Sequence, residues 1–205
     1  MVEAVIFDIG NVLIEWQPER YYDQIMPRAE REAMFAEVDL HGMNDIIDRG
    51  GSFRETIYDW AERYPQWREK IRLWHDDWIQ MAAPVIPRSL RLMQALQARG
   101  VPVFSLTNFG IGSFDYACTH YPFLRDFDRP FISGHMGVIK PEARIYEMVE
   151  QASGMVGAQL LFTDDRADNI AAAHLRGWKT HLFEGPAGWA ARLVAEGLLS
   201  DAEAE

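Results

Sequence analysis

Short apolar strands alternate with amphipathic helices along the second half of this 205-residue chain, from Pro87 onward. Such alternation is typical of a parallel sheet, because parallel neighbours need a long crossover, usually a helix, between them. Buried strands are predicted at residues 4–7, 101–106, 129–132, 160–162 and 179–183. The pattern therefore predicts an α/β fold with a Rossmann-like, doubly wound parallel sheet.

The first predicted strand is followed by a long stretch with helical spacing and no convincing strand. Its apolar residues recur at intervals of three and four, and Ser52 with Glu55 three residues later resembles a capping box. We expect a helical insert at residues 15–84, between residues 1–14 and 85–205 of the α/β core. The C-terminal residues 201–205 are expected to fray.

Two parts of this insert have competing interpretations. Tryptophans and aliphatic residues repeat from Trp67 to Met81, which predicts one long helix with an aromatic face. Core packing of a helical bundle is the ordinary explanation, and lining of a substrate pocket is the alternative. Residues 41–51 are polar with glycines near both ends, which predicts a connecting loop, and one that could face a ligand.

Composition excludes several classes of function. The net charge of −11 disfavours a nucleic-acid or anionic-membrane partner, since both need a basic surface. A single cysteine, Cys118, excludes an internal disulfide and a cysteine-based metal site. The chain shows no leader sequence and no apolar run of about 18 residues, so we expect a cytoplasmic protein. Monomer and dimer both remain open.

Polar groups follow three of the predicted strands. They are Asp8, the pair Thr107 and Asn108, and the pair Asp164 and Asp165, and Lys140 stands at the start of a predicted helix. The carboxyl ends of parallel strands meet at one edge of a sheet, where ligands bind. We therefore expect these side chains to share one crevice, although a lone Asp8 could also be an ordinary cap of the following turn.

The residue types at this edge favour phosphoryl transfer. A cluster of carboxylates without imidazole or thiolate is typical of a hard cation such as Mg²⁺. Thr107, Asn108 and Lys140 offer a hydroxyl, an amide and a cation, which suit phosphate oxygens. A carboxylate such as Asp8 could attack phosphorus and form an aspartyl-phosphate that water then hydrolyses.

Four segments in order resemble the motifs of the haloacid dehalogenase superfamily. They are Asp8-Ile-Gly-Asn-Val-Leu, Ser105-Leu-Thr-Asn, Lys140-Pro-Glu, and Thr163-Asp-Asp followed by Asn169. Each motif alone is weak, but the four together span nearly the whole chain. The helical insert after the first motif is similar to the C1 cap of that superfamily, which selects substrates.

The resemblance implies a role for each matching residue. Asp8 would be the nucleophile and a Mg²⁺ ligand, and Lys140 would orient the nucleophile and the phosphate. Thr107 and Asn108 would hold the phosphoryl group. Asp165, rather than its neighbour Asp164, is expected to ligate the metal directly. In the cap, Asn44, Asp48 and Arg49 are candidates for contact with the substrate.

One position departs from the pattern of the superfamily's phosphatases. They usually carry a second Asp two residues after the nucleophile, which serves as general acid and base, and here that residue is Gly10. The Gly10 carbonyl could still ligate Mg²⁺, but the proton donor is lost, at a typical cost of about 10²–10⁴-fold. The Asp-x-Gly-Asn-Val pattern is similar to bacterial sugar-phosphate phosphatases that share this glycine.

The resemblance leaves three hypotheses. The first is a Mg²⁺-dependent phosphatase for a small phosphorylated metabolite, such as a sugar phosphate. The second is a 2-haloacid dehalogenase, which the acidic fourth motif and Gly10 disfavour. The third is a weakly active protein of the same fold that binds a phosphorylated ligand, and Gly10 is its only support.

Overall fold

The computed structural model describes all 205 residues and contains one five-stranded sheet in which every strand is parallel. The strands lie in the order β3-β2-β1-β4-β5. They are β1 (Ala4–Phe7), β2 (Val103–Thr107), β3 (Arg129–Ile132), β4 (Leu160–Asp164) and β5 (Lys179–Leu182). The predicted α/β, Rossmann-like class is confirmed.

The central strand β1 aligns the site. Phe7 is in register with Ser105 of β2 and with Thr163 of β4. The residues that follow these three positions therefore emerge at the same edge of the sheet. Because the chain builds outward from β1 in both directions, this edge is also the point where the strand order reverses and a crevice opens.

Helices cover both faces of the sheet. Side chains alternate along β1, so Val5 and Phe7 belong to one apolar cluster while Ala4 and Ile6 belong to the other. Both faces are thus fully buried, as expected for a parallel sheet. The core helices are α7 (Pro87–Ala98), α8 (Ile111–His120), α9 (Ser133–Met136), α10 (Ala143–Ser153), α11 (Ala167–Leu175) and α12 (Pro186–Ala195).

Six helices lie between β1 and α7. They are α1 (Pro18–Ile25), α2 (Arg28–Glu37), α3 (Leu40–Asp48), α4 (Phe53–Glu62), α5 (Arg68–Asp76) and α6 (Trp78–Met81). Their interior is aromatic, with Trp74 fully buried against Tyr22, Phe35 and Trp16. The two chain crossings to the core run side by side, joined by an antiparallel bridge between Ile14 and Val85.

The loop predicted at residues 41–51 is wrong, because most of it forms helix α3. Leu40, Met43 and Ile47 are buried at helical spacing, and the Asp39 carboxylate accepts a hydrogen bond of 2.8 Å from the Gly42 N–H. A Cβ at position 42 would lie 2.2 Å from Asp39 Oδ2, so this glycine belongs to the cap rather than to a turn.

Other local expectations also need correction. The long aromatic helix is two helices, α5 and α6, interrupted at Asp77, whose carboxylate accepts a hydrogen bond from the Tyr21 hydroxyl. Strand β3 is followed directly by the short helical turn α9, and helix α10 begins at Ala143, three residues after the Lys140 position at which a helix was predicted to start. The tail is not frayed: residues 201–203 form a 3₁₀ turn, and Ala204 is buried.

No helix combines the length and the apolar character required to cross a bilayer.

Candidate active site

Lys140 lies at the centre of the polar edge of the sheet. Its Nζ is 3.0 Å from Asp8 Oδ1 and 2.6 Å from Asp164 Oδ2, and it donates a third bond of 2.8 Å to the Leu106 carbonyl. All three charged side chains are buried. A buried ammonium with this many partners has a fixed position, so Lys140 holds the two carboxylates in place.

Asp165 completes an acidic cluster with Asp8 and Asp164. One carboxylate oxygen from each residue can be chosen so that all three lie within 4.8 Å of one another. Three ionised carboxylates against one ammonium leave two negative charges uncompensated. A compact all-oxygen donor set with this charge deficit suits a hard divalent cation such as Mg²⁺.

The two neighbouring aspartates differ in how their oxygens are used. Asp164 Oδ1 accepts from the Arg166 N–H and the Asn169 amide, and Asp164 Oδ2 accepts from Lys140 and the same amide. Asp165 is half-buried, and only its Oδ2 is engaged, by the Asn11 amide at 2.9 Å. Asp165 therefore has the more available oxygen.

Burial sets the electrostatics of the cluster. It raises the pKa of Asp8, and the charges of Asp164 and Asp165 raise it further, while Lys140 opposes the shift. Burial also raises the pKa of Asp165. Burial alone would lower the pKa of Lys140. The negative charges of Asp164 and Asp8 outweigh this effect, so the pKa of Lys140 is raised and the side chain stays charged.

The loop after β2 has two different polar side chains. Asn108 donates from Nδ2 to the Lys140 carbonyl at 3.0 Å and accepts from the Lys140 N–H at 2.7 Å. This amide is therefore committed to positioning Lys140, whereas the Thr107 side chain makes no hydrogen bond within the fold and lines the cavity. The structure thus brings both predicted residues to the site, and only Thr107 has its side chain free for a ligand.

The polar edge opens into a cavity of about 310 Å³ between the core and the helical segment. Asp8, Gly10, Thr107, Asn108, Lys140 and Asp165 contribute to its wall from the core. Asn44 lines it from α3. Arg49 does not line it, because its guanidinium forms an ion pair of 2.5 Å with Glu142. Asp164 lies beneath the wall, fully buried.

Asn11 was missed as a site residue by the sequence analysis. Its Nδ2 binds Asp165, while its Oδ1 accepts from the Trp16 N–H at 2.9 Å and from the Gln17 amide at 3.2 Å. Its φ of 54° is left-handed, a region that asparagine tolerates better than most residues. An Asn directly after the glycine of the first turn was the available signal. Asn11 links the first loop to the fourth motif.

Asn169 belongs to the fourth motif, but the sequence alone predicted no role for it. Its Nδ2 lies 3.0 Å from both carboxylate oxygens of Asp164, and its side-chain Oδ1 is buried without a hydrogen-bond partner. It orients the carboxylate that in turn binds Lys140.

Comparison with known proteins places this arrangement in context. The family model for haloacid dehalogenase-like hydrolases matches residues 2–175. The chain is 26% identical to the sesquiterpene phosphatase astK of Aspergillus oryzae over 85% of this chain and 86% of that protein. It is 21% identical to the D-ribitol-5-phosphate phosphatase of Bacteroides thetaiotaomicron, over 95% and 98% respectively.

Two further similarities bear on the chemistry. An (S)-2-haloacid dehalogenase of a Pseudomonas species is 32% identical, over 46% of this chain and 40% of that protein. Among solved structures, a family enzyme of Bacteroides thetaiotaomicron in complex with magnesium and inorganic phosphate superimposes with a TM-score of 0.68. It is 20% identical and covers 88% of this chain and 93% of its own, so this likeness concerns the fold.

Proposed function

Because the chain belongs to the haloacid dehalogenase-like hydrolases, we propose that it is a Mg²⁺-dependent phosphatase that hydrolyses a small phosphate monoester through an aspartyl-phosphate on Asp8. The observation that carries this proposal is the buried Lys140 bridge between Asp8 and Asp164, beside Asp165 and open to the cavity. Two phosphatases among the relatives support it.

The free oxygen of Asp8 suits a nucleophile. Asp8 Oδ1 is occupied by Lys140 and by the Ile9 N–H at 2.7 Å, which leaves Oδ2 without a bond. In the first step this oxygen attacks phosphorus, and the ester P–O bond breaks. The departing alkoxide takes its proton from solvent, because Gly10 has no acidic side chain. We assign the Thr107 hydroxyl and the Asn108 main-chain N–H to the phosphoryl oxygens, since both residues line the cavity together with Asp8.

In the second step a water molecule attacks the phosphorus of the aspartyl-phosphate. The P–O bond to Asp8 breaks, inorganic phosphate leaves with the oxygen of the water, whose protons stay on the phosphate or pass to solvent, and the carboxylate is restored. Lys140 stays charged throughout and stabilises negative charge at Asp8 and on the phosphoryl group.

We assign Mg²⁺ binding to Asp8, Asp165 and the Gly10 carbonyl. Asp164 supports this site indirectly, because it holds Lys140, which in turn contacts Asp8. When bound, the cation would neutralise the acidic cluster and polarise the phosphoryl group. The free oxygen of Asp165 favours it over Asp164 as the direct ligand.

Residues 15–84 are proposed as a cap domain over a core of residues 1–14 and 85–205. Helices α1–α6 fall within this range, and α3 supplies one wall of the cavity. Substrate contact by Asn44 and Arg49 gains little support, since the Asn44 amide is engaged by Trp74 and Asp48 and Arg49 points to Glu142. A cytoplasmic location stays a prediction.

Haloacid dehalogenation is the second candidate, supported by the 32% identity over part of the chain. It fits the site less well, because the carboxylate of a haloacid would enter a cavity lined by Asp8 and Asp165.

Hydrolysis of p-nitrophenyl phosphate with and without Mg²⁺ tests the proposal, since this leaving group needs no general acid. We expect Mg²⁺-dependent turnover and its loss in Asp8→Asn, with an unchanged circular dichroism spectrum. Retained activity in Asp8→Asn would contradict the nucleophile assignment. Absence of p-nitrophenyl phosphate hydrolysis by the wild type, together with chloride release from 2-chloropropionate, would support the dehalogenase function instead.

A further inference from the structure

One face of helix α3 forms a wall of the cavity. This wall is acidic, whereas a wall that binds phosphate is usually basic. His41, Asn44, Asp45 and Asp48 all line the cavity, at the spacing i, i+3, i+4 and i+7 that places residues on a single helix face. This face contains two carboxylates and no lysine or arginine.

The two carboxylates are held differently. Asp48 is 7% exposed, and its Oδ2 accepts a hydrogen bond of 2.9 Å from the Asn44 amide. The carbonyl oxygen of that amide accepts in turn from the Trp74 indole at 3.1 Å, so Asp48 is fixed in place. Asp45 is exposed and has neither a salt bridge nor a side-chain hydrogen bond. Its charge therefore faces the cavity without compensation.

The cations near the cavity are already paired. Lys140 is bound to Asp8 and Asp164, and Arg166 binds Asp168 through two bonds of 3.1 and 2.7 Å. Glu15 also lines the cavity and is paired with Arg20 at 2.5 Å. No lysine or arginine of the cavity wall is therefore left without an ion pair to receive an anionic group away from the phosphate position.

Aromatic rings supply the rest of the wall. Trp16, Trp78 and Phe109 line the cavity, with ring centroids 5.7 Å apart for the two tryptophans and 5.4 Å apart for Trp78 and Phe109. Indole faces attract cations and also pack against the apolar C–H faces of polyols.

From the acidic face of α3 and these aromatic rings, we propose that the alcohol released by this enzyme carries hydroxyl or ammonium groups and no negative charge. The inference rests on the proposed phosphatase function and specifies its substrate class. Asp45 and Asp48 accept hydrogen bonds from the donors of the leaving group and repel carboxylates and second phosphates. Burial, with the Asp45 charge next, raises the pKa of Asp48 to about 7.

Competition against p-nitrophenyl phosphate tests this charge preference with two matched pairs of probes. Glucosamine 6-phosphate and glucose 6-phosphate differ by an ammonium group, and sorbitol 6-phosphate and 6-phosphogluconate differ by a carboxylate. We expect 6-phosphogluconate to have an inhibition constant about 10-fold or more above that of sorbitol 6-phosphate, and glucosamine 6-phosphate to bind at least as tightly as glucose 6-phosphate.

Asp45→Asn should reduce the ratio of the inhibition constants of 6-phosphogluconate and sorbitol 6-phosphate about three-fold, because the substitution removes the uncompensated charge. Asp59→Asn is the matched control, since Asp59 is an exposed aspartate on α4 outside the cavity, and it should leave the ratio unchanged.

Equal inhibition within each pair, or no inhibition by any of the four esters while p-nitrophenyl phosphate is turned over, would overturn the charge preference alone. Absence of all p-nitrophenyl phosphate turnover would overturn the phosphatase proposal and this inference with it.

Discussion

Gly10 is the residue at which this chain departs most from the phosphatase pattern, and the structure shows that the departure is chemical rather than steric. A Cβ at position 10 would meet only Trp16 Cβ, at 3.8 Å, which is an ordinary contact. A Cβ atom at this position is therefore accommodated at the cavity wall. The missing group is a proton donor, and nothing in the packing requires its absence.

Gly10→Asp should therefore raise hydrolysis of poor leaving groups more than of good ones. For an alkyl phosphate such as sorbitol 6-phosphate, we expect kcat to rise about 10-fold or more, since a positioned acid contributes about 10²–10⁴-fold. For p-nitrophenyl phosphate the change should stay within about three-fold. Gly10→Ala, which adds the Cβ without the carboxyl group, is the control. Equal gains on both esters would refute this account of Gly10.

At the scale of elements, helix α3 shows how a polar segment can still be a helix. Its buried apolar residues are only Leu40, Met43 and Ile47, and its N-terminus depends on the Asp39 carboxylate. The tight approach of Asp39 to Gly42 makes the cap sensitive to any side chain at position 42.

Gly42→Ala should destabilise the protein by up to about 1 kcal/mol, because loss of the Asp39 cap costs about 0.5–2 kcal/mol while alanine regains up to about 1 kcal/mol of helix propensity. Urea unfolding followed by circular dichroism measures the change. Gly188→Ala in α12 is the matched control, since the nearest atoms to its Cβ are those of His181 at 3.7 Å. That substitution should be neutral or slightly stabilising. A loss in Gly188→Ala equal to that in Gly42→Ala would contradict the cap explanation.

Elements with a clear apolar period could be predicted from the sequence, and those decided by distant contacts could not. Strands β1 and β3 have the expected bounds, because their residues are apolar or follow clear turn signals. The prediction of a loop in place of α3 was wrong, because the polar residues of this segment form the helix face that lines the cavity.

The same limit applies within the site. Asp8, Lys140 and Asp165 could be brought together from strand ends alone, since parallel strands share one edge. The engagement of Asn108 with the Lys140 main chain, 32 residues away, has no local signal. The pairing of Arg49 with Glu142, 93 residues apart, is equally invisible in the sequence.

At the scale of the whole molecule, the acidic cluster joins the ends of β1 and β4, and Lys140 connects it to the loop before α10. A cation bound there would stabilise the folded state alone, because the unfolded chain does not bring these carboxylates together.

We expect Mg²⁺ at about 100 times its Kd to stabilise the fold by about 2.7 kcal/mol. For a domain of this size, that gain raises Tm by about 5–10 °C. Thermal unfolding with Mg²⁺ and with a chelator measures the difference. Asp165→Asn should remove most of the shift and Asp59→Asn should retain it. A full shift in Asp165→Asn would argue that the cation binds elsewhere.

The helical segment contacts the core at two sides of the cavity. At one side, Ile14 and Val85 join the two crossings of the chain. At the other, the Ser133 hydroxyl donates a bond of 2.6 Å to the Asp48 carbonyl, and Arg49 pairs with Glu142. In the proposed phosphatase, any movement of the helical segment away from the core that admits ester or releases alcohol would break these bonds. Since the Arg49–Glu142 pair is solvent-exposed and weakened by salt, we expect the rate of such a movement to depend on ionic strength even though the reacting groups beneath it are buried.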